Sequence, residues 1–237
     1  MHQDADVHSR LRLLARNISE SRHPVFFTGA GISTASGLSD YRGPDGVWTR
    51  REKGLPPIRN AVPLHQAAPN AGHAALVELQ RLGKLAFLIT QNVDNLHLRS
   101  GIEPDRLAEL HGNGAKLRCQ RCERKVDRSF GLTLCQCGGR FVDSVVHFGQ
   151  ALPQRELRRS FDHAQRSDLF VVLGSSLTVT PAADLPLAAY RSGSYLVIVN
   201  QQQTPLDSLA RLRFAEPINE VLPAVVKRVK GLMGRSD

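Results

Sequence analysis

Val25-Phe26-Phe27-Thr28-Gly29-Ala30-Gly31 is a short unbroken apolar run that ends on a glycine turn, and its reading decides the fold. Three further runs share that plan. Leu85-Ala86-Phe87-Leu88-Ile89 ends in Thr90-Gln91-Asn92, Leu169-Phe170-Val171-Val172-Leu173 ends in Gly174-Ser175-Ser176, and Tyr195-Leu196-Val197-Ile198-Val199 ends in Asn200. Runs that are continuous rather than alternating suit strands covered on both faces, as in a parallel sheet. Helical patterns separate them, over Val7 to Glu20, Ala71 to Leu82, Pro181 to Arg191 and Asn219 to Lys230. Strand and helix in alternation predict an α/β fold with a Rossmann-like, doubly wound parallel sheet. Each run closes on small or polar residues, and the carboxyl ends of strands are where open α/β sheets bind ligands.

Two segments interrupt the alternation. Gly43 to Asn70 is rich in proline and charge and reads as a loop or small helical insertion. Cys119 to Cys137 holds all four cysteines, as Cys119-x2-Cys122, twelve residues, then Cys135-x-Cys137. Two close thiol pairs joined by a ribbon-like stretch can converge on one tetrahedral ion, and four thiolates favour zinc. Four protein ligands leave no open position, so the zinc is expected to be structural. Lys116, Arg118, Arg121, Arg124, Lys125 and Arg128 lie around the thiols and are expected to help keep them deprotonated. Two reduced pairs without metal, or a ribbon that reads nucleic acid, are the alternatives. Phe130 is the sole aromatic between the cysteines, which gives such a ribbon little on which to stack a base. The expected division is a large domain of residues 1–43, 71–116 and 145–237, with 44–70 and 117–144 forming a small one.

The 237 residues suit one domain, or one domain with a sizeable insertion, and 41% hydrophobic with 22% charged residues is an ordinary globular composition. The formal charge of +9 favours polyanions. Either a nucleic acid binds, or a solvated basic face accompanies a pocket for an anionic cofactor; the lack of a nucleic-acid motif favours the second. No apolar stretch is long enough to span a bilayer, and Met1 to Glu20 is charged and helix-like, with no apolar run before a cleavage site. Clustered rather than dispersed cysteines argue against a secreted disulfide framework. A soluble, cytoplasmic protein without a membrane partner is expected.

Gly29-Ala30-Gly31 after a strand would let the backbone approach a pyrophosphate and turn its amides toward the anion. The third glycine of the dehydrogenase fingerprint is missing, however, with Thr34 in its place, and no second strand ends in a ribose-binding acid. That argues against an ordinary hydride-transfer enzyme. The longer string Gly29-Ala-Gly-Ile-Ser-Thr-Ala-Ser-Gly-Leu-Ser-Asp-Tyr-Arg-Gly43 resembles the first signature of the sirtuins. The likeness continues in Thr90-Gln-Asn-Val-Asp-Asn-Leu-His97, Glu109-Leu-His-Gly-Asn113, the cysteine set, Val145-Val-His-Phe-Gly-Gln150, Gly174-Ser-Ser-Leu177 and Val199-Asn200. These blocks run in the family's order over about residues 25 to 205.

The resemblance implies an NAD-dependent protein-lysine deacylase in which NAD and an acylated lysine meet between a Rossmann-type domain and a small zinc domain. Acyl transfer to ADP-ribose with release of nicotinamide is the implied reaction. By the same resemblance Asn92 and Asp94 hold the nicotinamide carboxamide, Ala30, Ile32 and Ser33 line that pocket with Gly29, Gly31, Gln91 and Val93, and His111 is the base that activates a ribose hydroxyl. A neutral imidazole titrates in the range this work needs. His97 is expected to be structural. Asp40, Tyr41 and Arg42 belong to the loop that closes over the cofactor, Arg42 toward a phosphate. Gly174, Ser175, Ser176, Asn200 and Gln201 face the adenosine half. Val146, His147, Phe148 and Gly149 are expected as one strand beside the substrate backbone and Leu177 to Val179 as the other, so that the peptide adds as a β-strand.

The chain departs from the family's pattern in places. Tyr41 replaces a usual Phe, Gln150 a usual Glu, Asn95 a common Gly, and Val142-Asp143 a common Arg-Pro. Asp143 with His147-Phe-Gly, and Gly43-Pro-Asp-Gly-Val-Trp48, are similar to the branch that includes chromatin-associated sirtuins. No Tyr-x-x-Arg pair marks a preference for acidic acyl groups, so neutral ones are expected. ADP-ribosyl transfer to protein or NAD hydrolysis in the same pocket is the second reading. A non-catalytic NAD sensor or chromatin-binding module, suggested by the basic charge, is the third.

Overall fold

In a computed structural model, which describes residues 6–56, 58, 60–147 and 149–234, the four apolar runs become the centre of one sheet. The elements in order are α1 (Val7–Glu20), β1 (Pro24–Thr28), α2 (Val47–Glu52), α3 (Ala71–Arg81), β2 (Phe87–Thr90), α4 (Leu96–Ser100), β3 (Leu107–Glu109), β4 (Lys116–Cys119), β5 (Lys125–Asp127), β6 (Phe141–Asp143), α5 (Gln154–Arg166), β7 (Leu169–Leu173), α6 (Asp184–Arg191), β8 (Tyr195–Val199), β9 (Leu212–Phe214) and α7 (Ile218–Met233). Six strands form a sheet in the order β3-β2-β1-β7-β8-β9, all pairs parallel. This is the Rossmann-like doubly wound arrangement, with its reversal of strand order between β1 and β7.

The continuous hydrophobicity of the strands has a direct cause. Alternate side chains enter opposite cores. Phe26, Leu88, Val171 and Val197 pack against Leu14 and Ile18 of α1, Leu76 and Leu79 of α3, and Val225 and Val229 of α7. Phe27, Ile89, Phe170, Val172 and Ile198 pack on the other face against Ala164 of α5 and Leu185 and Ala189 of α6. Helix starts follow local chemistry. The Asp6 carboxylate accepts from the His8 and Ser9 amides, and Asn70 and His73 form a reciprocal cap on α3.

Both rims of the sheet are short. Strands β3 and β9 have three residues each, and each turns a carbonyl to an arginine: Leu107 O accepts from Arg159 at 3.2 Å and Arg213 O from Arg10 at 2.7 Å. A second sheet of three antiparallel strands, in the order β5-β4-β6, carries the cysteines. The described residues between 43 and 70 comprise the short helix α2 and otherwise irregular chain.

Several elements differ from expectation. Helix α6 starts at Asp184 rather than Pro181. Strands β3 and β9 and helices α4 and α5 were not foreseen; the strands are too short to show a period, and α5 buries only Glu156, Ser160 and Ala164. No helix among the described residues is long and apolar enough to cross a membrane.

Candidate active site

The loops after β1 and β7 meet where the strand order reverses. A Cβ on Gly29 would lie 2.7 Å from Gly174 O, and one on Gly31 2.8 Å from Gly174 Cα. Gly174 itself has φ +64°, so the two loops touch backbone to backbone and only glycine fits. The amides of this turn behave differently from the sequence expectation. Those of Gly29, Gly31, Ile32 and Ser33 donate to Leu173, Gly174, Gly29 and Ala30 carbonyls, and the chain continues as 3-10 turns rather than an α-helix. These four amides are therefore committed within the protein rather than offered to an anion.

Below this turn lies a buried polar trio. Ser33 donates to Asp94 Oδ2 at 2.6 Å, Asn92 Nδ2 donates to Ser33 Oγ at 3.2 Å, and the Leu96 amide donates to Asp94 Oδ1 at 2.9 Å. Ser33, Asn92 and Asp94 are each less than a tenth exposed. The carboxylate keeps lone pairs, and the Asn92 amide keeps donor and acceptor capacity, so the trio can hold a second amide group. Asn95, in place of a glycine, has φ +64°, a left-handed conformation that asparagine tolerates better than most side chains.

His111 joins the same site from β3. Its Nδ1 lies 2.9 Å from Gln91 O. A carbonyl oxygen can only accept, so Nδ1 carries the proton and Nε2 keeps a lone pair. Burial pushes the His111 pKa below its ordinary value, opposed by the Gln91 bond, so the ring is neutral near pH 7. Gln91 is held in turn: its amide donates to Thr28 O and its Oε1 accepts from Ser175 at 2.7 Å. The turn after His111 needs Gly112, which has φ +81° and presses against Ser144 O.

At the other end, Asn200 and Gln201 help line a cavity of about 110 Å³ with Gly31, Thr34, Asp40 and Gly174. Asn219 of this cavity was not singled out from sequence, having no motif to mark it, and Thr34 was noted only as standing where the dehydrogenase fingerprint has a glycine. Ser176 bonds to Thr178, at 2.9 Å. Asp40 accepts from the Gly43 amide at 3.0 Å, and burial raises its pKa. Arg42 is turned to Glu52, at 2.7 Å, rather than toward the cavity, and Tyr41 is exposed.

The expected substrate strands are not strands in this structure. Val146 and His147 are in irregular chain, and Gly149 is in a turn with φ +82°. Gln150 Oε1 accepts from the His147 amide and folds that turn. Phe148 lies outside the described residues. Leu177 is buried with φ +54°, which breaks any extended run through Val179. Strand geometry needs a ladder partner, and the described residues of neither segment have one here.

Two histidines support the trio from beneath. Thr28 Oγ1 donates to Thr90 and lies 2.9 Å from His97 Nε2, while the Asn92 amide donates to Thr90 Oγ1. His97 is buried, and its ring lies 4.9 Å from that of His73. Burial pushes the His73 pKa down to about 4, against the opposing charge of Asp94, and pushes that of His97 well down. His73 was not singled out, because a lone histidine on a helix carries no signal.

The four sulfurs lie within 4.8 Å of one another, with Cys119–Cys137 at 3.5 Å and Cys122–Cys135 at 3.7 Å. Those separations are far beyond a disulfide bond. They approach the edge of about 3.8 Å expected for a tetrahedron with Zn–S near 2.3 Å. The expected help from surrounding cations is only partly seen. Lys125 pairs with Glu109 and Glu156, and Arg128 with Asp143. Backbone amides act on one thiol instead: chiefly that of Cys122, with that of Arg121, lowers the Cys119 pKa to about 6, whereas at Cys122 the Arg124 amide is outweighed by the neighbouring sulfurs, which push the pKa up.

A sequence profile of the Sir2 family matches residues 55–181. The chain is 42% identical over 234 residues to the NAD-dependent protein deacetylase SRT1 of Oryza sativa subsp. indica, covering 93% of this chain and 48% of that one. It is 38% identical over 234 residues to the NAD-dependent protein deacetylase of Thermotoga maritima, covering 89% and 94% respectively. A solved Sir2 with a p53 peptide and NAD+ superposes with a TM-score of 0.74 at 36% identity, over 94% of this chain and 99% of that one. The chain spans about half the length of its plant relatives.

Proposed function

Because the chain belongs to the Sir2 family, we propose that it is an NAD-dependent protein-lysine deacylase that passes the acyl group to ADP-ribose and releases nicotinamide. The observation that carries this reading is the neutral His111 one hydrogen bond from Gln91, the residue that precedes Asn92 of the buried trio with Ser33 and Asp94. The deacetylase relatives and the solved Sir2 with NAD+ support it.

The residues fit both expected groups. The cavity lined by Gly31, Thr34, Asp40, Gly174 and Asn200 lies at the carboxyl ends of β1, β7 and β8, where a doubly wound sheet takes a dinucleotide. NAD, when bound, supplies the electrophilic ribose carbon and the acceptor for the acyl group. Asn92 and Asp94 orient the carboxamide, one donating and one accepting, while Ser33 fixes both side chains. His111 Nε2 takes a proton from a ribose hydroxyl, its ring kept in the useful tautomer by Gln91. Arg42, once released from Glu52, would serve a phosphate as the loop of Asp40 and Tyr41 closes. Cys119, Cys122, Cys135 and Cys137 hold one structural zinc, with no position left for a substrate.

The partner is an acylated lysine on a protein, with Val146, His147 and Gly149 on one side of its backbone and Leu177 and Val179 on the other. The peptide would supply the ladder partner that these segments lack, with neutral acyl groups favoured. A cytoplasmic location is part of the same reading.

A panel of acyl-peptides incubated with NAD, comparing the native protein with His111→Ala, tests the assignment by mass spectrometry. The native protein should form O-acyl-ADP-ribose, and the folded variant should lose it. Mass added to protein, or free ADP-ribose alone, would favour ADP-ribosyl transfer or NAD hydrolysis. Bound NAD with no nicotinamide released would favour a sensor. Unchanged turnover in the variant would remove His111 from its role.

A further inference from the structure

The turn that carries His111 is gripped from both sides by residues of one polar chain. Glu109, two residues before it, is 6% exposed, and Asn113, two residues after it, is fully buried. One donor of Asn113 Nδ2 reaches Glu109 Oε1 in a short hydrogen bond, and the other reaches Asn95 Oδ1 at 2.8 Å. Asn113 Oδ1 accepts from the Ala115 amide at 2.9 Å, so the side chain is fully used. Asn95 directly follows Asp94 and opens helix α4. The chain therefore ties the base turn to the loop of Asn92 and Asp94.

The far end of this chain lies in the cysteine module. Lys125, on β5, approaches Glu109 Oε2 at 3.0 Å and Glu156 Oε1 of α5 at 3.3 Å, with its side chain 16% exposed. Glu156 has a second cation in Arg159. Among the described residues, the only ion pair of Glu109 is with Lys125. We propose that Lys125 is a positioning residue for the deacylation reaction, holding the His111 turn in place through Glu109 and Asn113.

The proposal rests on the deacylase reading for its kinetic consequence, but its geometry stands apart. A buried carboxylate deprived of its cation is drawn toward water. That movement releases Asn113, which cannot satisfy Glu109 and Asn95 at once from a new position. His111 lies between the released anchors, and its turn then keeps only backbone-centred restraints, among them the Gln91 bond, the Val146 amide on His111 O and the Leu110 amide on Thr90 O, which leave the side-chain tie to Asn95 broken. Misplacement of a catalytic group by 1 Å costs about 100-fold in rate. Lys125→Met keeps the length of the side chain without its charge; Lys125→Arg keeps the charge and can bridge two carboxylates.

The test measures steady-state kinetics and the imidazole 1H–13C resonance of His111 in histidine-labelled native protein, Lys125→Met and Lys125→Arg. The signal is assigned by its loss in His111→Ala. In Lys125→Met, kcat should fall about 10- to 100-fold while the KM for NAD stays within about two-fold, and the His111 resonance should move. Lys125→Arg should restore both. A Met variant with native kcat and an unmoved resonance overturns the proposal. So does an Arg variant that melts and performs as poorly as the Met variant, because that is a purely structural loss. If the native protein itself releases no nicotinamide, the deacylase reading fails and the resonance alone decides: moved and restored supports Lys125 as the anchor, unmoved refutes it.

Discussion

Replacing Gly112 with alanine should damage activity far more than the loss of a glycine alone. Two penalties meet at this position. The first is conformational: φ is +81°, and a side chain in the left-handed region costs about 1–2 kcal/mol. The second is steric. The new Cβ would lie 1.8 Å from Ser144 O and 2.5 Å from Ser144 C, both backbone atoms. Ordinary carbon–oxygen contact needs more than 3 Å, so one backbone must move by well over 1 Å. Ser144 is fully buried and its amide bonds to Lys116 O, so the strain falls on the His111 turn as well.

Gly83→Ala is the matched control, with φ +69° and nothing within 4 Å of the new Cβ. Urea denaturation and nicotinamide release would be measured on both variants. Gly83→Ala should lose about 1–2 kcal/mol, or about 2–8 °C in Tm, with native kcat. Gly112→Ala should lose more stability than that and about 100-fold in kcat. Equal stability losses in the two variants, with equal activity, would refute the described contact between the base turn and Ser144.

Stability should also fall in mild acid. His73 is held neutral with its pKa lowered from 6.5 to about 4, so between those values the unfolded chain binds more protons than the folded one. The histidine's stabilising contribution is present above about pH 6.5 and is lost as the pH falls toward 4, reaching roughly 3 kcal/mol. Urea midpoints at pH 7, 6 and 5 should decline, and less steeply in His73→Gln; a flat native profile would contradict this. Stripping metal with a chelator should first remove amide protection from β4, β5 and β6, because that sheet has strands of only three or four residues and few buried side chains. Hydrogen exchange reads this directly, and a ribbon equally protected with and without metal would count against a structural ion.

The central strands were legible because burial on both faces forces a continuous apolar run, as at Leu169–Leu173 and Tyr195–Val199. The cysteine quartet was legible from spacing alone. Helix α5 was not: Leu157 and Phe161, both only partly buried, are the large apolar residues on its inward face, beside the small Ser160 and Ala164, and charged residues crowd the rest of the helix. The site divides in the same way. Asn92, Asp94 and His111 stand in motifs, and the structure brings their loops together. The commitment of the Gly29 and Gly31 amides to Leu173 and Gly174 could not be read, since it depends on the register between β1 and β7. The pairing of Arg42 with Glu52 and the place of Lys125 likewise depend on which acids the fold brings near.

The guarded rims of the main sheet limit how this protein can meet other chains. An extended segment joining a sheet needs a row of vacant donors and acceptors, and neither outer strand is long enough to offer one. The guanidinium groups of Arg10 and Arg159 already occupy outward carbonyls there. Self-association through edge-to-edge pairing is thereby discouraged.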